Sequence, residues 1–151
     1  MKKVLILFAV LLVFAFAALV ISNRASGGQS IGTGSAADRS QLEQMSLKFM
    51  EDLRFKDFQH AASYHSVEDR KKVNIPQLIE QWFAVKPETL DIMRYEIQKV
   101  DIDSTGKRGR VKIKTVLKIL NANQIKEPEM MLYFFKDPAE GWIMELESSL
   151  R

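Results

Sequence analysis

The chain has 151 residues, 46% of them hydrophobic and 27% charged, and no cysteine. Such values fit one folded domain plus an apolar segment, and they exclude disulfides, thiolate nucleophiles, cysteine zinc sites and an acylated lipobox cysteine. The net charge of +3 does not point to nucleic acid, because Lys2, Lys3 and Arg24 precede the first acidic residue. Without them the 22 basic residues fall to the number of acidic ones, 19, and the remainder of the chain is neutral.

Val4 to Ile21 is an unbroken apolar run behind two lysines. At the helical rise it spans about 27 Å, enough to cross a hydrocarbon core. Lys2 and Lys3 keep the N-terminus cytoplasmic and send the rest across. The run is read as a signal anchor, residues 1–21, of the inner membrane. The alternative is a cleaved signal using Ala15-Phe16-Ala17, which yields a secreted or periplasmic domain. The apolar stretch continues past Ala17 to Ile21, which favours retention. Residues 22–37 are rich in Gly, Ser and Ala and read as a flexible tether.

The folded domain is expected over residues 38–151. Ser40-Gln41-Leu42-Glu43 has capping-box spacing, and Leu42, Met45, Phe49 and Leu53 repeat at helical intervals, with Leu47 and Met50 widening the stripe. A break at Phe55-Lys56-Asp57 leads to a second helix through Phe58, Ala61, Ala62 and His65. Ser66 starts a further turn. Pro76 opens another helix, Gln77 to Phe83, which offers Leu78, Ile79, Trp82 and Phe83 to a core.

From Ile92 the period becomes two. Tyr95 and Ile97 give way to Val100 and Ile102 on the opposite parity, which predicts a bulge. Ser104 to Gly109 reads as a hairpin turn. Arg110 to Leu120 is the clearest strand, with Val111, Ile113, Leu117 and Ile119 on one face and Lys112, Lys114 and Lys118 on the other. Met130 to Phe135 and Trp142 to Leu146 complete four strands joined by a turn at Pro138 to Gly141.

The order predicts an α+β fold: N-terminal helices packed on a curved, four-stranded antiparallel meander, behind one transmembrane helix. The capped first helix, the break at Phe55 to Phe58, the Leu78 to Phe83 segment and the final Gly141-Trp142-Ile143 strand resemble the nuclear-transport-factor-2-like superfamily over Asp38 to Arg151. That resemblance implies a cone-shaped domain whose mouth holds an Asp/His pair in some member enzymes, and whose sheet face commonly pairs subunits. No catalytic residue carries over to a matching position here.

Three groups of residues stand out. His60, Tyr64, His65 and Trp82 are pocket candidates, with either histidine able to act as base and Tyr64 as donor. The commoner meaning of two histidines at a helix end is ordinary surface polarity, and no metal-ligand set is evident. Lys107, Arg108, Arg110, Lys112, Lys114 and Lys118 form a run without acids between Thr105 and Ile125, readable as an anion-docking ridge or as a solvated strand face with Lys112 opposite Asp101. It lacks the aromatic interleaving that stacks bases, so no nucleic-acid partner is expected. Met130 to Phe135 is apolar on both faces, which makes Met131, Tyr133 and Phe135 candidates for a homodimer or partner interface.

Phosphate loops, a nucleophile elbow and paired catalytic carboxylates are absent from the sequence, and no cofactor is expected. The leading expectation is therefore a non-enzymatic, membrane-anchored binding or assembly domain of an envelope complex, with a layout similar to bitopic subunits of type IV secretion machines. The alternatives are an enzyme using the cone as its active site and a secreted carrier of small ligands.

Overall fold

The structure is a computed structural model and describes residues 34–145. The apolar run, most of the tether and the end of the last expected strand at Leu146 lie outside the described residues. Among the described residues no helix is long and apolar enough to cross a membrane.

The first helix, α1 (Ala36–Phe55), starts earlier than the capping-box reading places it. Its N-cap is Ser35, whose hydroxyl accepts from the Asp38 amide at 3.0 Å. Ser35 and Asp38 have the same three-residue spacing as Ser40 and Glu43, but Ser40 lies inside the helix. Leu42, Ser46, Phe49, Met50 and Leu53 form the buried stripe. Leu47, expected to widen it, is 41% exposed, because five helical residues from Leu42 amount to a rotation of about 140°.

The helix ends at Lys56, which adopts a left-handed φ of 61° while its amide reaches back to the carbonyls of Asp52 and Leu53. That turn reverses the chain into α2 (Phe58–Ala62), capped by Asp57. The second helix stops short of His65, whose amide closes a turn onto Ala62. Ser66 does begin a further turn: its hydroxyl accepts from the Asp69 amide ahead of a 3-10 helix, Asp69–Lys71. Helix α3 (Ile75–Phe83) is capped by Asn74 with Pro76 in its first turn, and it buries Ile75, Leu78, Ile79 and Phe83.

Five antiparallel strands follow: β1 (Leu90–Ile102), β2 (Arg108–Ile119), β3 (Gln124–Lys126), β4 (Glu129–Asp137) and β5 (Gly141–Met144). Their order is β1-β2-β4-β5, with the short β3 an unexpected addition on β2. They make a curved, open sheet. β1 carries two register shifts, one at Met93 and one at Gln98; the second is the predicted parity switch. Gly109, assigned to the turn by its sequence, is instead a buried residue of β2 opposite Ile102. A Cβ there would stand 2.5 Å from Leu42, so the missing side chain lets α1 approach the sheet. The turn itself hangs on Asp103, whose carboxylate accepts from Thr105, Lys107 and Arg108.

Helices cover one face of the sheet. Val111, Ile113, Thr115, Leu117 and Ile119 of β2 point inward, as do Met130, Leu132 and Phe134 of β4. Burying this many large apolar side chains at about 1.5–3 kcal/mol each is the main source of stability.

Candidate functional site

The residues singled out by the sequence lie on two surfaces: the sheet face opposite the described helices, and the end of the helical layer.

On the outer sheet face β2 presents Arg108, Arg110, Lys112, Lys114 and Lys118, while Lys107 sits in the preceding turn. The ridge is therefore real as a row, but acids neutralise part of it. Arg110 meets Asp101 at 3.4 Å, Lys112 meets Glu129 at 2.7 Å and Lys114 meets Glu127 at 2.8 Å. The register sets Asp101 against Arg110, so Lys112 does not face it as expected; Lys112 lies between Lys99 and Met131. The shift has a simple origin, since β2 begins at Arg108 and the turn closes tightly on Asp103.

Beside this row Met131, Tyr133 and Phe135 share one face of β4, and β5 adds Ile143 opposite Phe135. All four are partly exposed, whereas Met130, Leu132 and Phe134 on the inner face are buried. The three predicted interface residues thus form one continuous row.

At the other surface, the reversal at Lys56 lays α2 back along the last turn of α1. His60 Nδ1 then lies 2.7 Å from the Asp52 carboxylate. A carboxylate only accepts, so Nδ1 carries the proton and Nε2 is the nitrogen left for other partners. Tyr64 packs edge-on against the His60 ring at 5.5 Å and against Phe49 at 6.1 Å, and Phe49 meets Trp82 at 6.2 Å. The Tyr64 hydroxyl is buried without a well-formed hydrogen bond. Burial first, and then the nearby Asp52 charge, push this phenol far above its usual range. The hydroxyl leans on Asp52 through charge rather than through a bond of good geometry.

The structure so brings together His60, Tyr64 and Trp82, but it separates His65 from them. His65 is 2% exposed, its Nδ1 bonds the Ala62 carbonyl at 2.9 Å, and its Nε2 has no partner. Burial lowers its pKa and keeps it neutral. It belongs to the packing under the loop, where the neighbouring Tyr64 carbonyl accepts from the Met144 amide of β5 at 2.8 Å. Asp52, missed from sequence, is the residue that orients His60. The available signal was the non-glycine break at Lys56, which implies a tight return of the chain onto the end of α1.

Chemically, an imidazole fixed through Nδ1 can accept or donate a proton at Nε2. Among the described residues no cluster of three or more His, Asp or Glu side chains is arranged to hold a metal. In comparisons with known protein families, with curated proteins and with solved structures, the chain matches none.

Proposed function

We propose that the chain is a non-enzymatic, membrane-anchored domain of an envelope assembly. In this reading residues 4–21 span the inner membrane, the N-terminus is cytoplasmic, and a cone of the nuclear-transport-factor-2-like kind stands outside and binds a protein partner or a second copy through the sheet. The observation that carries it is the row Met131, Tyr133, Phe135 and Ile143 on the face that the helices leave uncovered. Large apolar side chains in a contiguous row on an open face mark contact surfaces.

The absence of cysteine makes the test direct. A full-length Tyr133→Cys chain in bacterial membranes, labelled with a maleimide that carries a benzophenone and then irradiated, should give one defined adduct, because the photoproduct inserts into any neighbouring C–H bond, while Leu47→Cys on the exposed side of α1 should give none. A Tyr133→Cys chain that labels freely yet never crosslinks rejects the sheet face as an interface. Mass analysis of the mature N-terminus tests the anchor, which fails if the chain begins at Ala18.

A further inference from the structure

Outside the sheet face, one surface gathers unneutralised positive charge. A broad open groove of about 960 Å³ runs between α2 and the start of α3. Its walls include His60, Ser63, Arg70, Lys71, Lys72 and Asn74. Arg70 is committed elsewhere, with Nε donating to the His65 carbonyl at 2.8 Å and a guanidinium nitrogen 3.8 Å from Glu140. Lys71 and Lys72 are exposed and make no ion pair among the described residues. The one carboxylate lining the groove is Asp57, and it is occupied in capping α2 through the His60 amide at 3.0 Å.

Three consecutive cations repel one another, and a neutral domain that keeps two of them uncompensated in a concave site leaves a standing attraction for an anion. This contrasts with the β2 row, where Arg110, Lys112 and Lys114 each have an acidic neighbour. His60 completes the set. Asp52 holds its Nδ1 at 2.7 Å, so the ring is oriented and Nε2 is the nitrogen left to act in the groove. Two ammonium groups and an imidazole nitrogen that accepts suit a phosphate monoester, which offers several acceptor oxygens and, with one proton bound, a P–OH that can donate to Nε2.

We propose that this groove binds a phosphate-bearing ligand. Lys71 and Lys72 neutralise its charge and His60 Nε2 accepts from its P–OH. The site is independent of the anchor and of the sheet face, and either reading can fail alone.

The test titrates the full-length chain, isotope-labelled and held in zwitterionic nanodiscs, with glycerol phosphate while amide shifts are followed. Saturable shifts at His60 and from Lys71 to Asn74 are expected. Affinity should fall about tenfold or more in Lys71→Gln/Lys72→Gln and about threefold in His60→Ala, and stay unchanged in Lys118→Ala on the sheet. A second arm replaces part of the lipid by phosphatidic acid, whose phosphate is also a monoester, and saturable shifts confined to that arm identify the phosphate as a headgroup. Shifts that sodium chloride of equal ionic strength reproduces, or that persist in the double lysine variant, overturn the proposal.

Discussion

The two ends of α1 use similar parts for opposite results. Near the start, Asp38 is held by Lys136 at 2.6 Å, by Trp142 Nε1 at 2.9 Å and by the Ser35 hydroxyl at 2.9 Å. Close to the finish, almost four turns and about 21 Å further on, Asp52 is held at 2.7 Å by His60, with the Tyr64 hydroxyl beside it but without a bond of good geometry. In each case an acid meets a basic group and an aromatic ring. The first arrangement satisfies its groups and ties α1 to β4 and β5, so it is a structural latch. The second leaves the Nε2 of His60, which lines the open groove, without a partner among the described residues, and a buried hydroxyl with only a poorly aligned one. A carboxylate–base–aromatic grouping therefore says little about function until its remaining hydrogen-bonding capacity is followed atom by atom.

The largest way to break the comparison is to remove what supports the second end. Phe49 is fully buried between Tyr64 and Trp82, and Phe49→Ala should cost about 3–5 kcal/mol in denaturant unfolding. A loss under about 1 kcal/mol would show that the aromatic stack is not a support.

Acid separates the ends more finely. The Lys136, Trp142 and Ser35 contacts lower Asp38 from 3.8 to about 2. A depressed carboxylate stabilises the fold above its unfolded pKa, and this latch should be lost as pH falls from about 4 to 2, with a limit of about 2 kcal/mol. His65 acts over a different range. Its folded pKa is lowered from 6.5 by burial, so the unfolded chain takes up a proton that the folded one resists, and stability should decline as pH falls below about 6.5. Stability measured against pH should thus drop in two stages. Asp103, Glu127 and Asp137 are also held below their usual values and share the lower stage, so Asp38→Asn should lose about 2 kcal/mol at neutral pH and shrink that stage while leaving the upper one. A single stage, or an upper stage that survives His65→Gln, would contradict this division.

The smallest effect is the most diagnostic. Tyr64→Phe deletes a buried hydroxyl that has no well-formed bond, so unfolding free energy should stay within about 1 kcal/mol or rise. A larger loss would mean that the phenol donates to Asp52 and that the second end is as closed as the first.

Much of this fold is legible in the residues. The alternation of β2, the parity switch before Val100 and the apolar stripe from Leu42 to Leu53 all have direct periodic signatures, and each is present. The failures share a physical cause, which is that residue spacing carries no information about backbone turns, strand register or packing across the fold. Ser35 sits at the end of a Gly/Ser-rich segment that resembles tether throughout, and what sets it apart is Asp38, whose carboxylate is engaged by Lys136 and Trp142 about a hundred positions away. Gly109 looks like turn because its packing against Leu42 is invisible in sequence. Lys112 and Asp101 miss each other through register. Asp52 and His60 meet only because Lys56 accepts a left-handed turn that favours glycine.

The latch at Asp38 also decides how the domain carries force. If the proposed anchor holds, load would reach α1 within two or three residues of Asp38, where the helix start is bonded to Lys136 of β4 and Trp142 of β5. On the opposite side the Arg39 guanidinium donates to the Val100 carbonyl of β1 at 3.3 Å. Tension entering there is divided among β1, β4 and β5 and acts on them together, instead of peeling α1 away one turn at a time.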